Sequence, residues 1–254
     1  MKIVRHIAAV QLDGEVGLVP TMGALHDGHR SLFRAARSEN DVVVASLFVN
    51  AAQFDEQADL AAYPRDEERD AAIAESEGVD VLFAPEPAER YPPGFATWVD
   101  VEEAGDEGRS RPGHFRGVAT VCVKLFNIVR PRRAYFGQKD AQQAAVLKRV
   151  VGDLNLPVEI RVLPTVRDDD GLALSSRNAR LSADERARAL ALPRALHGAI
   201  GTADPVAAAA AGLRDLDPDY VEVVDLGDAR VLAAAVRVGD TRLIDNVVLE
   251  GALS

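Results

Sequence analysis

Two histidines three residues apart, His26 and His29, close the run Pro20-Thr-Met-Gly-Ala-Leu-His-Asp-Gly-His29. The apolar run Val16-Gly-Leu-Val19 before them reads as a strand, and Leu32, Phe33 and Ala36 after them fall at helical spacing. Both imidazoles therefore stand where a strand turns into the first turn of a helix. That place gathers free backbone N–H groups and the positive end of the helix dipole, so it suits an anion. Gly23 and Gly28 would let a phosphate come close to the backbone, and imidazole adds donors whose charge can change near neutral pH. A nucleotide phosphate site is the first reading. A zinc pair is a second, although Cys122 is the only cysteine to complete it. A pair of structural histidines, one of them capping the helix, is a third.

Three further groups of polar residues stand out, two of them after strand-like runs and one after the polar turn Asp168-Asp-Asp-Gly171. Phe136-Gly-Gln-Lys-Asp140 offers Lys139 to neutralise phosphate charge, and Asp140 either to accept from a ribose hydroxyl or to cap a helix. Ser175, Ser176 and Arg177 offer two hydroxyls and a guanidinium, which suit phosphoryl oxygens or form a plain turn. Asn50 and Gln53 end a third run, where amides can orient a small polar substrate or cap a loop. The chain has no Gly-x-x-x-x-Gly-Lys-Ser/Thr loop, no Gly-x-Gly-x-x-Gly fingerprint and no Gly-x-Ser-x-Gly elbow. A nucleotide would have to enter by the histidine-bearing helix.

The elements that must position these groups alternate through the first two thirds of the chain. Strands are predicted at Val16–Val19, Val42–Val49, Val79–Phe83, Trp98–Val101, Arg133–Phe136 and Val158–Val162. Helices are predicted from near Gly28, at Glu67–Glu77, Val118–Val129 and Ala141–Leu154. The rhythm predicts an α/β fold, a Rossmann-like parallel sheet flanked by helices, with ligands beyond the carboxyl ends of its strands. After Thr165 the pattern changes. Helices near Ala183–Ile200 and Pro205–Leu216 and strands near Tyr220–Leu226, Ala234–Val238 and Leu243–Leu249 predict a smaller α+β C-terminal domain. The boundary falls between residues 1–165 and 166–254.

The 254 residues are 48% hydrophobic, enough for a large core. The net charge of -11 argues against a nucleic-acid or membrane-binding face. No stretch is apolar enough to span a bilayer, and the N-terminus lacks a signal-peptide core. One cysteine excludes an internal disulfide; Cys122, among Val118, Val121 and Leu125, reads as a packed small hydrophobe. A cytoplasmic location follows as the default.

These motifs together resemble the pantoate–β-alanine ligase (pantothenate synthetase) family, of the nucleotidyltransferase superfamily with a His-x-Gly-His signature, here His26-Asp-Gly-His29. The resemblance continues through Val19-Pro-Thr-Met-Gly-Ala-Leu25, Phe48-Val-Asn50, Gln53-Phe54, Ala62-Tyr-Pro-Arg65 and His114-Phe-Arg-Gly117. Phe136 to Asp140, Gln142-Gln143, Pro164-Thr-Val-Arg167, Asp170-Gly171, Ser175-Ser-Arg-Asn178 and Thr241 to Asn246 complete it in order.

The resemblance implies a two-step reaction. Pantoate and ATP give pantoyl adenylate and pyrophosphate; β-alanine then takes the acyl group and AMP leaves. It implies catalytic roles for His29 (the proton donor), His26, Lys139 and Arg177. The ATP site would comprise Met22, Gly23, Ala24, Leu25, His26, Asp27, Gly28 and His29, with Gly137, Gln138, Lys139, Asp140, Val166, Leu174, Ser175, Ser176 and Arg177. Gln53 and Gln143 would hold pantoate, with Gln53 also near β-alanine. Mg2+ is implied with ATP, without a protein ligand that the sequence names, and so is a homodimer. Ala51 and Ala52 depart from the usual Phe-Val-Asn-Pro-x-Gln-Phe, which would loosen the pantoate wall. Gln138, Ala141 and Leu174 replace the usual glutamate, tyrosine and methionine.

Overall fold

The computed structural model describes residues 1–102, 105–226 and 229–251. Strands β1 (Lys2–Val4), β2 (Val16–Thr21), β3 (Val42–Leu47), β4 (Val81–Phe83), β5 (Arg133–Gly137) and β6 (Glu159–Leu163) form one sheet. Its order is β1-β4-β3-β2-β5-β6 and every pair in it is parallel. Each strand buries alternate residues on opposite faces. Leu18, Val44, Ala134 and Phe136 face α6 (His114–Val129) and α7 (Ala141–Asp153). Val19, Val43, Ala45 and Tyr135 face α1 (Asp27–Glu39) and α3 (Glu67–Ser76). Both faces being covered, the strands read as near-continuous apolar runs. The order reverses between β2 and β5: the chain runs from β2 through β3 and β4 to one side, then returns to add β5 and β6 on the other, so the cleft of a doubly wound sheet opens there.

Strands β7 (Tyr220–Asp225), β8 (Ala229–Val238) and β9 (Thr241–Gly251) form a second, antiparallel sheet. Leu232, Ala234, Val236 and Val238 pack on Ala189, Leu192, Leu196 and Leu213 of its own helices α8 (Ala183–Ala189), α9 (Ala191–Ala199) and α10 (Pro205–Leu213). The remaining helices are short: α2 (Gln57–Ala62), α4 (Pro87–Arg90) and α5 (Gly105–Ser110). No helix among the described residues is long and apolar enough to cross a membrane.

Three expectations need correction. Trp98–Val101 is not a strand: among the described residues it finds no partner strand, the Val99 N–H is taken by Thr120 Oγ1 at 3.0 Å, and Trp98 stays 37% exposed, stacked on Tyr91. The helical stretch Ala183–Ile200 breaks at Leu190, because Pro193 cannot donate to the carbonyl four residues back. Helix α6 begins at His114, four residues before the apolar run. Cys122 is buried as expected, and desolvation pushes its thiol up to about 12, so it is no nucleophile.

Candidate active site

A cleft of about 840 Å³ opens beyond the carboxyl ends of β2, β3 and β5 and is closed over by the 3₁₀ turn Ser176–Arg180 and strands of the smaller sheet. Its wall brings together Met22, His26, Gly28, His29, Gln53, Gly137, Lys139, Asp140, Gln143, Val166, Leu174, Ser175, Ser176 and Arg177. The catalytic candidates named from sequence thus share one cavity.

The two histidines cap the helix and each other. His26 is the N-cap of α1, and its Nδ1 accepts from the Gly28 N–H at 3.1 Å. His29, three residues on, accepts through Nδ1 from the His26 N–H at 3.3 Å. This is the reciprocal pattern of a capping box, built from imidazoles instead of Ser and Glu. With both Nδ1 atoms accepting, the proton of each neutral ring sits on Nε2. Gly28 is needed because a Cβ there would lie 2.8 Å from the His26 ring. The capping reading therefore holds, and two of the N–H groups at this helix entrance, those of His26 and Gly28, are spent on the rings.

The expectation of imidazoles that change charge near neutrality does not hold. Burial, then the positive charge of Lys139, lowers His26 to about 4. Burial, His26 and Lys139 lower His29 to about 3. Both rings touch the cleft, but each lies deep enough that desolvation dominates. What they offer at pH 7 is a pair of neutral N–H donors. His114, lowered to about 4 by burial and then by Arg111, behaves alike.

These shifts carry a sign. An unfolded histidine protonates near pH 6.5, while these three stay neutral until about 4 or below. Between those values the unfolded chain binds more protons, so stability is full above pH 6.5 and drains away as pH falls toward 4. The melting temperature should therefore drop between pH 7 and pH 5, where carboxylates barely titrate. A melting temperature that stays level over that range, or resonances of His26, His29 and His114 that titrate near 6.5, would contradict this.

Asp70, which no motif singled out, holds the loop before the histidines. Its carboxylate, 1% exposed, accepts from the Ala24 and Leu25 N–H groups, each at 2.8 Å. Gly23 (φ 88°) and Ala24 (φ 52°) both take left-handed backbone there. A Cβ on Gly23 would lie 2.7 Å from Asp70 Oδ2. So Gly23 makes room for a carboxylate of the protein, and not for phosphate as first read. Asp70→Ala should cost about 2–4 kcal/mol by orphaning two buried donors and a strained turn. Denaturant unfolding measures this; an unchanged midpoint would show that the loop holds itself.

Residues 23 to 25 and 27 are absent from the cleft wall. Leu25 is buried in the core, and Asp27 points outward beside Arg30 at 3.3 Å. Gln138 also turns away: its Nε2 donates to Asn246 Oδ1 at 2.9 Å, and Asn246 Nδ2 donates to the Gln138 and Lys139 carbonyls at 2.7 and 3.1 Å. This pair pins the 3₁₀ turn Gln138–Asp140 to β9 and so fixes Lys139. Asp140 makes no side-chain cap for α7, which removes the capping reading.

On the opposite wall, buried Asn50 is a hub. Its Nδ2 donates to Gln53 Oε1 at 2.9 Å and to the Gly117 carbonyl at 3.1 Å, while Tyr91 OH donates to its Oδ1 at 3.0 Å. With the Gln53 oxygen taken, its Nε2 hydrogens are the donors left for a carboxylate. The Gln53 carbonyl is held at 2.8 Å by His114 Nδ1–H, a tautomer set by Arg111 donating to Nε2 at 3.3 Å. Ala51 and Ala52 line no part of the cleft. Asp55, Asp59, Tyr63, Arg111 and His114 do line it, and sequence reasoning gave none of them a role.

With this geometry in view, the comparisons with known proteins agree. The family model described as Pantoate-beta-alanine ligase matches residues 1–248. The pantothenate synthetase of Roseiflexus castenholzii is 54% identical, covering 96% of this chain and 95% of its own. That of Moorella thermoacetica is 53% identical, with coverage of 96% and 95%. Among solved structures, pantothenate synthetase from Thermus thermophilus superposes with TM-score 0.91 at 45% identity, covering 98% of this chain and all (100%) of that one. Pantoate-beta-alanine ligase from Francisella tularensis, complexed with beta-gamma ATP and beta-alanine, superposes with TM-score 0.82 at 36% identity over 100% of both chains. A six-stranded parallel sheet with a switch-point cleft, a histidine pair at its helix entrance and matches over nearly the whole length lead to one conclusion: the chain belongs to the pantoate–β-alanine ligase family.

Proposed function

We propose that this chain condenses pantoate with β-alanine at the expense of ATP, through a pantoyl-adenylate intermediate. The observation that carries the reading is the meeting of His26, His29, Lys139 and Arg177 with Gln53 and Gln143 in one cleft. A carboxylate is a poor acyl donor because oxide would have to leave. In the first step the pantoate carboxylate oxygen attacks the α-phosphorus, and the bond to pyrophosphate breaks. In the second the β-alanine nitrogen attacks the acyl carbon, AMP leaves, and the amine gives up its proton.

The chain's part is positioning and charge neutralisation. His29 and His26 donate Nε2–H to phosphate oxygens, Lys139 and Arg177 neutralise them, and the Gln53 and Gln143 amides orient pantoate. Met22, Gly28, Gly137, Asp140, Val166 and Leu174–Ser176 line the nucleotide site. Gly23, Ala24, Leu25 and Gln138 support it from behind, while Asp27 faces outward at the start of α1. Among the described residues no three His, Cys, Asp or Glu gather to hold a metal. We read Mg2+ as arriving on the triphosphate, as part of the substrate. We further read residues 166–254 as a lid on the domain of residues 1–165, the assembly as a homodimer and the location as cytoplasmic.

The test is a product assay. ATP, Mg2+ and both acids should yield AMP, pyrophosphate and pantothenate. Pyrophosphate should appear with pantoate alone, before β-alanine is added. A folded sample that forms no AMP, or that releases pyrophosphate only with a nucleotide monophosphate, overturns the reading.

A further inference from the structure

Asp59, on the short helix α2, stands between two guanidiniums of the turn Ser176–Arg180. Its Oδ2 accepts from Arg177 Nη2 at 2.6 Å and its Oδ1 from Arg180 Nη1 at 2.9 Å. Arg180 also donates to the Ala62 carbonyl at 3.2 Å, and Arg237 of the smaller sheet reaches Glu56 at 3.2 Å. The segment Glu56–Ala62 is thus strapped from the far side of the cleft. Asp59, Arg177 and Arg180 all line that cleft. Burial alone would raise the Asp59 carboxyl, but the two arginines outweigh it and hold it below its ordinary value.

An anionic side chain inside a triphosphate cleft is electrostatically out of place unless it does something for the cation. Arg177 gives Asp59 one nitrogen only among the described residues, a contact that a polyanion with several oxygens can outbid. Arg180 shares the same carboxylate, so Asp59 keeps a partner when Arg177 leaves. From this three-way arrangement we propose that Asp59 is a resident counter-anion for Arg177: it holds the guanidinium when the cleft is empty, yields it to the triphosphate, and reclaims it as pyrophosphate departs. Asp59 is a positioning residue, acting through Arg177 and not on the reacting atoms. The inference rests on the proposed phosphate contact of Arg177.

Asp59→Asn keeps an acceptor of the same shape and removes the charge that competes with phosphate. Titration of the intact enzyme with Mg·ATP and with inorganic pyrophosphate should show D59N binding both about three- to ten-fold more tightly. Pyrophosphate release should slow, and the gain should shrink as salt rises. A merely structural residue would give the opposite sign. Arg180→Gln should weaken both ligands in the wild type, by leaving Asp59 to Arg177, but have little effect in the D59N background. Should D59N not fold, Asp59→Ser removes the same charge. If Arg177→Ala weakens both ligands while loss of the Asp59 charge fails to tighten them, the counter-anion role is wrong and the site reading stands. If Arg177→Ala changes neither affinity, the phosphate contact falls and this inference with it.

Discussion

His29→Ala is expected to lower kcat by about 10²–10³-fold, the loss typical of one donor aimed at developing charge. The ring is held neutral by burial and by its neighbours His26 and Lys139, with Nε2 carrying the proton. It needs no protonation event before it acts, so the wild-type rate should not fall as pH rises through 6.5 on its account. The same substitution removes the acceptor of the His26 N–H, which should cost about 0.5–2 kcal/mol of stability, as lost helix caps do. His29→Gln restores a capping-box residue with a donor, and should recover the stability and part of the rate. Turnover at the wild-type level in the alanine variant would show that this imidazole contributes no donor to the reaction.

Gly117→Ala is expected to destabilise the protein by about 2–4 kcal/mol and to raise KM for pantoate at least about ten-fold. In an exposed helix interior the same change adds stability, because alanine is the better helix former. Here a Cβ would lie 2.4 Å from the Ala52 carbonyl oxygen and 2.7 Å from the Gln53 nitrogen. Both are backbone atoms that cannot rotate aside. Either α6 or the turn Ala51–Gln53 must shift, and with it the amide proposed to hold the acid and the Asn50 bond to the Gly117 carbonyl. Thermal melts and steady-state kinetics decide it. A raised melting temperature with an unchanged KM would mean that the contact relaxes freely.

The fold was readable where burial is two-sided. Val42 to Leu47 and Val16 to Val19 are apolar on both faces because α1 and α3 cover one and α6 and α7 the other. Lys2–Val4 passed unseen, since three residues at a sheet edge carry no period. Trp98–Val101 misled for the converse reason, an apolar extended segment whose partners are rings and a threonine hydroxyl instead of a strand. Within the site, the groups that face the cleft announce themselves by type: imidazole, ammonium, guanidinium and amide at strand ends. The groups that support them do not. Asp70 sits in an acidic helix among Glu67 and Glu68, and nothing in that run marks the one carboxylate turned inward. Gln138 looked like a wall residue because sequence gives position but not direction, and Asn246, far along the chain, draws it away.

The reciprocal histidine cap ties the proposed chemistry to the fold. In many enzymes catalytic side chains are a burden on folding, and replacing them makes the protein sturdier. Here losing either imidazole removes an end-group that the first helix needs. A duplicate gene freed from making the vitamin would still be held by selection for a foldable product to keep both rings. Among divergent copies, then, the histidine pair is a poor witness to surviving activity, and the ammonium at position 139, which caps nothing, should be the first to drift.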